Sequence, residues 1–141
     1  MPVETGAEHF AHDADIGVRG FGSTREAAFE QAAIALSAIV VDVSTIRPER
    51  EVHIECEAPN DALLLVDWLN ALIYRMAVDH LLFRRFRVTI EDHRLRAEAW
   101  GERIDRARHA PTVEPKGATY TALKVEQAAD GIWTAQCVID V

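Results

Sequence analysis

The segment 62–79 constrains the fold more than any other, because its apolar residues cover most of a helix. These residues are Leu63, Leu64, Leu65, Val66, Trp68, Leu69, Leu72, Ile73 and Met76. They exceed the single apolar stripe of a surface helix, so the helix is either buried or docked against another protein. We expect burial, with Asp67 and Asn70 on a narrow exposed edge.

A first helix is predicted after Ser23-Thr24-Arg25-Glu26, which has the Ser-x-x-Glu form of a capping box. Its apolar face is formed by Phe29, Ala32, Ala33, Leu36, Ile39 and Val40 at helical spacing. The many alanines predict close packing on a sheet. Asp42 ends this helix, where a carboxylate opposes the negative end of the helix dipole. This unfavourable placement suggests that Asp42 has another role.

Alternating apolar and polar residues predict strands in much of the remaining chain. The predicted strands cover residues 8–12, 16–21, 52–56, 83–91, 95–99, 119–125 and 132–141. Turns at Asp92-His93 and at Ala129-Asp130-Gly131 predict two hairpins. The polar segment 101–116, with Pro111 and Pro115, is long enough to predict a functional or mobile loop.

The order of these elements is β-β-α-β-α followed by four strands, and this order predicts an α+β fold. We expect a mostly antiparallel sheet with two helices packed on one face, and the other face partly open to solvent or a partner. The chain has 141 residues, of which 49% are hydrophobic. This length predicts a single domain over residues 1–141, with one core.

The charge and the cysteine content exclude several classes of protein. The net charge of −8 argues against autonomous nucleic-acid binding and fits a divalent cation or a basic partner. No apolar run approaches the length of a membrane helix, and residues 1–10 lack the features of a signal peptide. Cys56 and Cys137 are too few for a disulfide framework and are expected as buried free thiols. We therefore expect a cytoplasmic protein without membrane association.

The stretch His12-Asp13-Ala14-Asp15-Ile16-Gly17 is the strongest candidate for a functional site. Carboxylates two residues apart on an extended chain point to one face, so Asp13 and Asp15 would reach one cation. The alternative is a solvated strand end or turn. Asp140 points away from the core in its predicted strand and, with the Val141 carbonyl or carboxylate, would complete a set of hard oxygen ligands. Such ligands suit calcium or magnesium, and calcium tolerates irregular geometry better.

Other chemistry is poorly supported by the sequence. The six histidines do not have the spacing of zinc ligands, and no nucleophile elbow, Walker phosphate loop or Gly-x-Gly-x-x-Gly motif is present. A metal-dependent hydrolase with Asp13 or His12 as the base is a weak alternative, because no second metal or convergent nucleophile accompanies it. The sequence favours a protein that is not an enzyme.

Six blocks in a fixed order and spacing extend over nearly the whole chain. They are His12-x-Ala14-Asp15-x-Gly17, Glu26-Ala27-Ala28-Phe29-Glu30-x-Ala32-Ala33-x-Ala35-Leu36, Leu63-Leu64-Leu65-Val66-Asp67-Trp68-Leu69-Asn70, Gly101-Glu102 with His109, Lys116-x-Ala118-Thr119-Tyr120 and Val138-Ile139-Asp140-Val141. With these blocks the chain resembles the archease family.

The resemblance implies a non-catalytic accessory protein of an RtcB-type RNA ligase, which joins tRNA halves during tRNA splicing and repairs cleaved RNA. Such a protein promotes guanylylation and turnover of the ligase, broadens its nucleotide use and contacts RNA only through it. The resemblance also implies a calcium site at one tip, with Asp15, Asp140 and the Val141 carbonyl as ligands. The alternative is a chaperone-like modulator of another RNA-processing enzyme, such as a tRNA methyltransferase.

Some residues depart from the family pattern or have no assigned role. Asp13 stands where the family usually has threonine, which adds negative charge beside the metal. Gly117 and Thr121 replace the usual residues around Lys116. Lys116 and Glu102 are expected near the site or the ligase contact, or in a structural salt bridge. His12 and Asp42 are further candidates beside the site. The oligomeric state stays open.

Overall fold

Two antiparallel sheets enclose two long helices in the computed structural model, which describes residues 5–141. The strands are β1 (Gly6–His12), β2 (Asp15–Gly22), β3 (Arg50–Glu57), β4 (Leu81–Glu91), β5 (Arg94–Arg103), β6 (Gly117–Ala118), β7 (Lys124–Gln127) and β8 (Trp133–Asp140). The helices are α1 (Arg25–Val40), α2 (Asp61–Asp79) and the short α3 (Arg106–His109), and Val43–Thr45 forms a 3₁₀ turn. The α+β class is confirmed.

The strands are divided between two sheets, whereas the sequence analysis expected one. The five-stranded sheet has the order β1-β2-β8-β6, with β7 also paired to β8, and the three-stranded sheet has the order β3-β5-β4. Helix α1 packs on β1, β2 and β8 of the first sheet and on β4 of the second. Helix α2 contacts strands of both sheets as well. The helices thus form the middle of three layers.

The position of α2 between two sheets explains its apolar sequence. A helix covered from both sides needs apolar side chains on more than one stripe. Its fully buried residues are Leu64, Leu65, Trp68, Leu69 and Leu72. Trp68 also donates from its indole Nε1 to the Phe29 carbonyl at 3.1 Å, which joins the two helices. The prediction that this helix is buried is confirmed.

The alanines of α1 allow its backbone to touch β2. A Cβ atom at Gly20 would lie 2.2 Å from the Ala32 nitrogen and 2.3 Å from the Ala28 oxygen. Any larger residue at this position would push the helix from the sheet. The helix starts one residue later than the capping box predicted, because Thr24 is the extended N-cap residue and accepts from the Ala27 N–H at 3.0 Å.

Helices α1 and α2 run in the same direction. Arg25 and Asp61, the first residues of the two helices, form an ion pair of 2.8 Å. Strand β2 runs for eight residues towards the start of α1, which returns for sixteen residues along it. These lengths correspond to about 26 Å of strand and about 24 Å of helix, so α1 ends near the start of β2. We call this end of the molecule the helix C-terminal end.

The polar segment 101–116 contains regular structure that the sequence analysis did not predict, and its longest irregular stretch is residues 110–116. Strand β5 extends to Arg103, and α3 follows with Asp105 as its N-cap. The Thr112 N–H then donates to the Val40 carbonyl at 2.9 Å. These contacts tie the segment to the end of α1.

The second predicted hairpin is less regular than expected. The strand predicted over 119–125 is replaced by β6 and β7 with an irregular stretch between them. In this stretch Thr121 accepts from the Val138 N–H at 3.1 Å, and Ala122 adopts a left-handed φ of 53°. The hairpin at Asp92-His93 agrees with the prediction.

The cysteines are free thiols, as predicted. Cys137 is fully buried, and burial raises its pKa to about 12. Cys56 is partly buried, which raises its pKa to about 11. Both thiols are therefore protonated and unreactive at neutral pH.

The helices within residues 5–141 are too short or too polar to cross a membrane. The prediction that residues 1–10 form no signal peptide falls partly on residues 1–4, which lie outside the described part of the chain.

Candidate metal centre

The second and the last strands of the chain bring Asp15 and Asp140 close together. In the β2–β8 pair Ile16 lies opposite Ile139, and one residue further along both strands places Asp15 across from Asp140. The Val141 N–H lies 3.4 Å from Asp15 Oδ1, which shows how near the two chain segments are. Residues directly opposite in antiparallel strands have Cβ atoms about 5 Å apart and side chains on one face.

The alternation of the strands directs this pair away from the helices. Val18, Cys137 and Ile139 point inward and are fully buried. Asp15 and Asp140 have the opposite parity, so they lie on the outer face of the five-stranded sheet. Asp140 is exposed and Asp15 is half-buried. The pair is thus accessible from solvent.

Gly17 has a packing role beside the candidate site. The Phe10 ring lies on Gly17, where an added Cβ would be 2.3 Å from the ring carbons. The Arg19 guanidinium lies over the same ring at 4.7 Å from its centroid. Phe10 and Arg19 therefore cover the outer face of the sheet next to Asp15. The two carboxylates lie at the edge of the area that these side chains cover.

Asp13 lies in the turn between β1 and β2 rather than on a strand. Its φ of 51° is left-handed, and its side chain is 94% exposed. The expectation that Asp13 and Asp15 share a face of an extended chain was therefore wrong, because the chain reverses between them. His12 pairs with Asp15 across the hairpin, and its Nδ1 lies 3.9 Å from the Asp13 carboxylate.

The electrostatics of this end favour a cation. Asp15 and Asp140 are like charges in opposing positions, which is unfavourable unless a cation or donors compensate. Lys116 donates its backbone N–H to the Asp140 carbonyl at 2.8 Å, and its side chain is exposed. Lys116 is thus a neighbour of Asp140 through its backbone.

The residues present fit a hard cation bound at an open surface site. Two carboxylates and the Val141 carbonyl are oxygen donors of the kind that calcium prefers, and water would supply its other ligands. Within residues 5–141 no three His, Cys, Asp or Glu side chains come close enough together to hold a metal ion. Any ion here would depend on two acidic side chains and on backbone and water oxygens.

Glu102 lies in a different environment, a buried cluster at the junction of β5 and α3. Its Oε2 accepts from the Arg47 N–H at 2.6 Å and from His109 Nε2 at 3.0 Å, and Oε1 accepts from Arg108. His109 Nδ1 accepts from the Asp105 N–H, so Nε2 carries the hydrogen. Burial raises the pKa of Glu102, but the donors from Arg108, Arg47 and His109 outweigh it and hold the pKa at about 2.

Asp42 and Asn70 also have defined contacts. Asp42 caps the 3₁₀ turn by accepting from the Ser44 N–H and hydroxyl, and these hydrogen bonds lower its pKa. Asn70 Oδ1 accepts from the Ala118 N–H at 2.8 Å, which holds β6 beside Asp140. The sequence analysis missed this role of Asn70, for which an amide within an apolar helix was the available signal.

The fold and the site define a three-layer α+β domain in which the start of β2 and the end of β8 form an acidic, oxygen-rich tip. The model of the archease protein family (MTH1598/TM1083) matches residues 8–141. An archease of Pyrococcus furiosus is 41% identical over 138 residues, covering 95% of this chain and 97% of that protein. An archease of Methanosarcina barkeri is 37% identical over 139 residues, covering 95% and 94%.

Solved structures have the same fold. The solution structure of Methanobacterium thermoautotrophicum protein 1598 has a TM-score of 0.82 and 28% identity, covering 96% of this chain and 99% of that one. A Thermotoga maritima crystal structure, described as "an archease, possible chaperone", has a TM-score of 0.59 and 18% identity over 94% of each chain. The chain belongs to the archease family.

Proposed function

We propose that this protein is a non-catalytic activator of an RtcB-type RNA ligase, promoting its guanylylation and turnover in tRNA splicing and RNA repair. Membership of the archease family supports this proposal. The observation that carries it is the proximity of Asp15 to the Asp140-Val141 end of β8 at an exposed tip. We place the protein in the cytoplasm, where the free Cys56 and Cys137 stay reduced.

The acidic tip gives this function a physical basis. An RNA ligase that binds metal and nucleotide presents a basic surface around its active site, and a tip with paired carboxylates complements it. When bound, a calcium-type ion would neutralise the pair and fix the carboxylate orientations. Asp15 and Asp140 would then contact the ligase and stabilise the conformation that accepts GTP, which shifts the ligase towards turnover.

The test is guanylylation and multiple-turnover ligation by an RtcB-type ligase with substoichiometric amounts of this protein. We expect stimulation by the wild type and none by Asp15→Ala or Asp140→Ala. Glu55→Ala is the matched control, because this exposed carboxylate lies on the other sheet and pairs with Arg96 at 3.5 Å. Circular dichroism would verify that all variants fold. Normal turnover with both tip variants would refute the role of the tip.

A second candidate is a chaperone-like modulator of another RNA-processing enzyme, such as a tRNA methyltransferase. The description of the Thermotoga maritima structure as a "possible chaperone" favours including it. Affinity capture from the native cell separates the two: recovery of the ligase supports activation, and repeated recovery of a methyltransferase without the ligase supports the second candidate.

A further inference from the structure

The last two turns of α2 present apolar side chains to solvent. Tyr74 is 62% exposed and Val78 is 53% exposed, and both are large. They are four residues apart and therefore lie on the same face of the helix. Ala77, between them, is exposed as well. Adjacent exposed apolar residues on one helix face are typical of a protein interaction site.

Two cavities flank this part of α2. One, of about 250 Å³, lies between α2 and the segment 104–115, with Ile73, Met76 and Val113 in its walls. The other, of about 590 Å³, lies between the end of α2 and the three-stranded sheet. His80 and Leu81 line both cavities, so they meet at the end of the helix. Ala77 lines the smaller cavity and Val78 the larger one. We call the two cavities, together with the exposed Tyr74, Ala77 and Val78, the α2 groove.

The rim of the α2 groove has an excess of positive charge. Arg50 and Arg103 line the larger cavity and Arg106 lines the smaller one. None of these three side chains forms an ion pair with another residue of the range 5–141. Asp79 is paired with Arg75, and Glu51 and Glu114 are the other acidic residues of the rim. Within residues 5–141 these three arginines therefore outnumber the acidic rim residues that have no arginine partner. This positive cluster stands out in a chain of net charge −8.

We propose that the α2 groove is the docking site for an acidic segment of the ligase that carries a large apolar side chain; this inference rests on the proposed function. The apolar side chain fills the 250 Å³ cavity beside Met76, and the carboxylates pair with Arg50, Arg103 and Arg106. The groove and the carboxylate tip lie at the same end of the molecule, so one partner covers both. The groove then supplies affinity and the tip supplies activation.

A nucleic acid is the less favoured occupant of the α2 groove. Phosphates would pair with the arginines, but they would leave Tyr74, Val78 and the apolar cavity unused. The chain as a whole also repels polyanions through its net charge of −8. A peptide, unlike a nucleic acid, carries both carboxylates for the arginines and an apolar side chain for the cavity.

The experiment measures the dissociation constant of the full-length protein for the RNA-free ligase by isothermal titration calorimetry. Arg103→Glu and the double variant Tyr74→Ser with Val78→Ser are expected to weaken binding at least tenfold. Arg96→Glu is the matched control on the outer face of the three-stranded sheet and should change binding less than twofold. At saturating concentration the groove variants should still stimulate guanylylation, whereas Asp15→Ala should bind but not stimulate.

The outcomes separate this inference from the proposed function. Wild-type stimulation with unchanged binding of the groove variants would overturn the docking site and leave the function standing. No binding or stimulation by the wild type would overturn both. Loss in Arg103→Glu of binding to an RNA oligonucleotide alone, or of self-association in sedimentation, would reassign the groove and overturn the inference. Circular dichroism of the variants, whose substituted side chains lie at the surface, verifies folding.

Discussion

Asp15 and Glu102 carry carboxylates at the same end of the molecule, but their surroundings are opposite. Glu102 is 8% exposed and accepts hydrogen bonds from Arg47, Arg108 and His109. Asp15 is half-buried, accepts a long hydrogen bond of 3.4 Å from the Val141 N–H, and lies, like Asp140, one residue beyond the Ile16–Ile139 pair. A buried charge with its hydrogen bonds satisfied supports the fold, whereas two like charges near each other at the surface do not, which is why we propose a functional role for them.

Asp15 and Glu102 both occur in the sequence blocks that resemble the family, but their different surroundings indicate different roles. Removing Glu102 would leave its donors unpaired in the interior, so its contribution is to stability. Removing Asp15 would relieve a repulsion at the surface, so the fold does not require it. Measurements of stability and of ligand response should therefore separate the two positions.

The largest expected effect is on stability at the buried cluster. Glu102→Ala leaves the Arg108 guanidinium and the His109 Nε2–H without their acceptor, so we expect a loss of about 3–5 kcal/mol in the free energy of unfolding. Urea denaturation at neutral pH measures this loss. Asp15→Asn is the comparison and should change the same quantity by less than about 0.5 kcal/mol. Equal losses in the two variants would remove the distinction between the sites.

The next effect is the response of the acidic tip to calcium. At a calcium concentration 100 times its dissociation constant, the wild type should gain about 2.7 kcal/mol of stability. Asp15→Asn and Asp140→Asn should lose this gain, because each removes a charged ligand. Thermal unfolding over a calcium series measures it, and Asp13→Thr is the control that should retain most of it. An unchanged calcium response in Asp140→Asn would contradict the assignment of the tip.

A smaller effect is expected in acid. The pKa of Glu102 lies below its ordinary value of 4.5, at about 2, so its ionised form stabilises the fold above pH 4.5. That contribution to stability is lost progressively as the pH falls from 4.5 towards 2. Because Glu102 is half protonated in the folded state only near pH 2, a denaturation series that stops above this pH measures only part of the loss. The wild type should therefore lose more stability than Glu102→Gln over this interval. Parallel pH profiles, measured by urea denaturation, would contradict the role of the cluster.

The smallest effect tests the repulsion at the tip directly. Without metal, in the presence of a chelator, Asp140→Asn should raise the free energy of unfolding by about 0.5 kcal/mol, because it removes one of two opposing like charges. Glu55→Gln, which breaks an exposed pair with Arg96, should give no such gain. Destabilisation by Asp140→Asn in the chelator would show that the carboxylate is needed for the fold itself.

Much of the fold was predictable because it depends on local periodicity. The alternation around Val52 and Ile54 predicted β3, and the apolar coverage of residues 62–79 predicted a buried helix. The sequence left open whether Asp13 lies on a strand or in a turn, because a short acidic stretch fits both, and the structure shows the turn. The structure of segment 101–116 was not predicted either, because it depends on residues far away in the chain. Glu102 accepts from the Arg47 N–H, and the Thr112 N–H donates to the Val40 carbonyl.

For the candidate site, the family resemblance named Asp15 and Asp140, whereas spacing alone did not choose Asp15 over Asp13. The two chosen residues lie near opposite ends of the chain, so only the pairing of β2 with β8 brings them together. The basic part of the α2 groove had no signal in the sequence, because Arg50, Arg103 and Arg106 belong to three separate elements.

The sequence by itself determined which segments are helices and strands and which of their faces are apolar, because these properties are set by neighbours a few residues away. Tertiary structure alone decided that the strands form two sheets around the helices, that Asp15 meets Asp140, and that Glu102 is satisfied in the interior. These features depend on contacts between residues distant in the chain, and local patterns do not specify which distant partner a residue will meet.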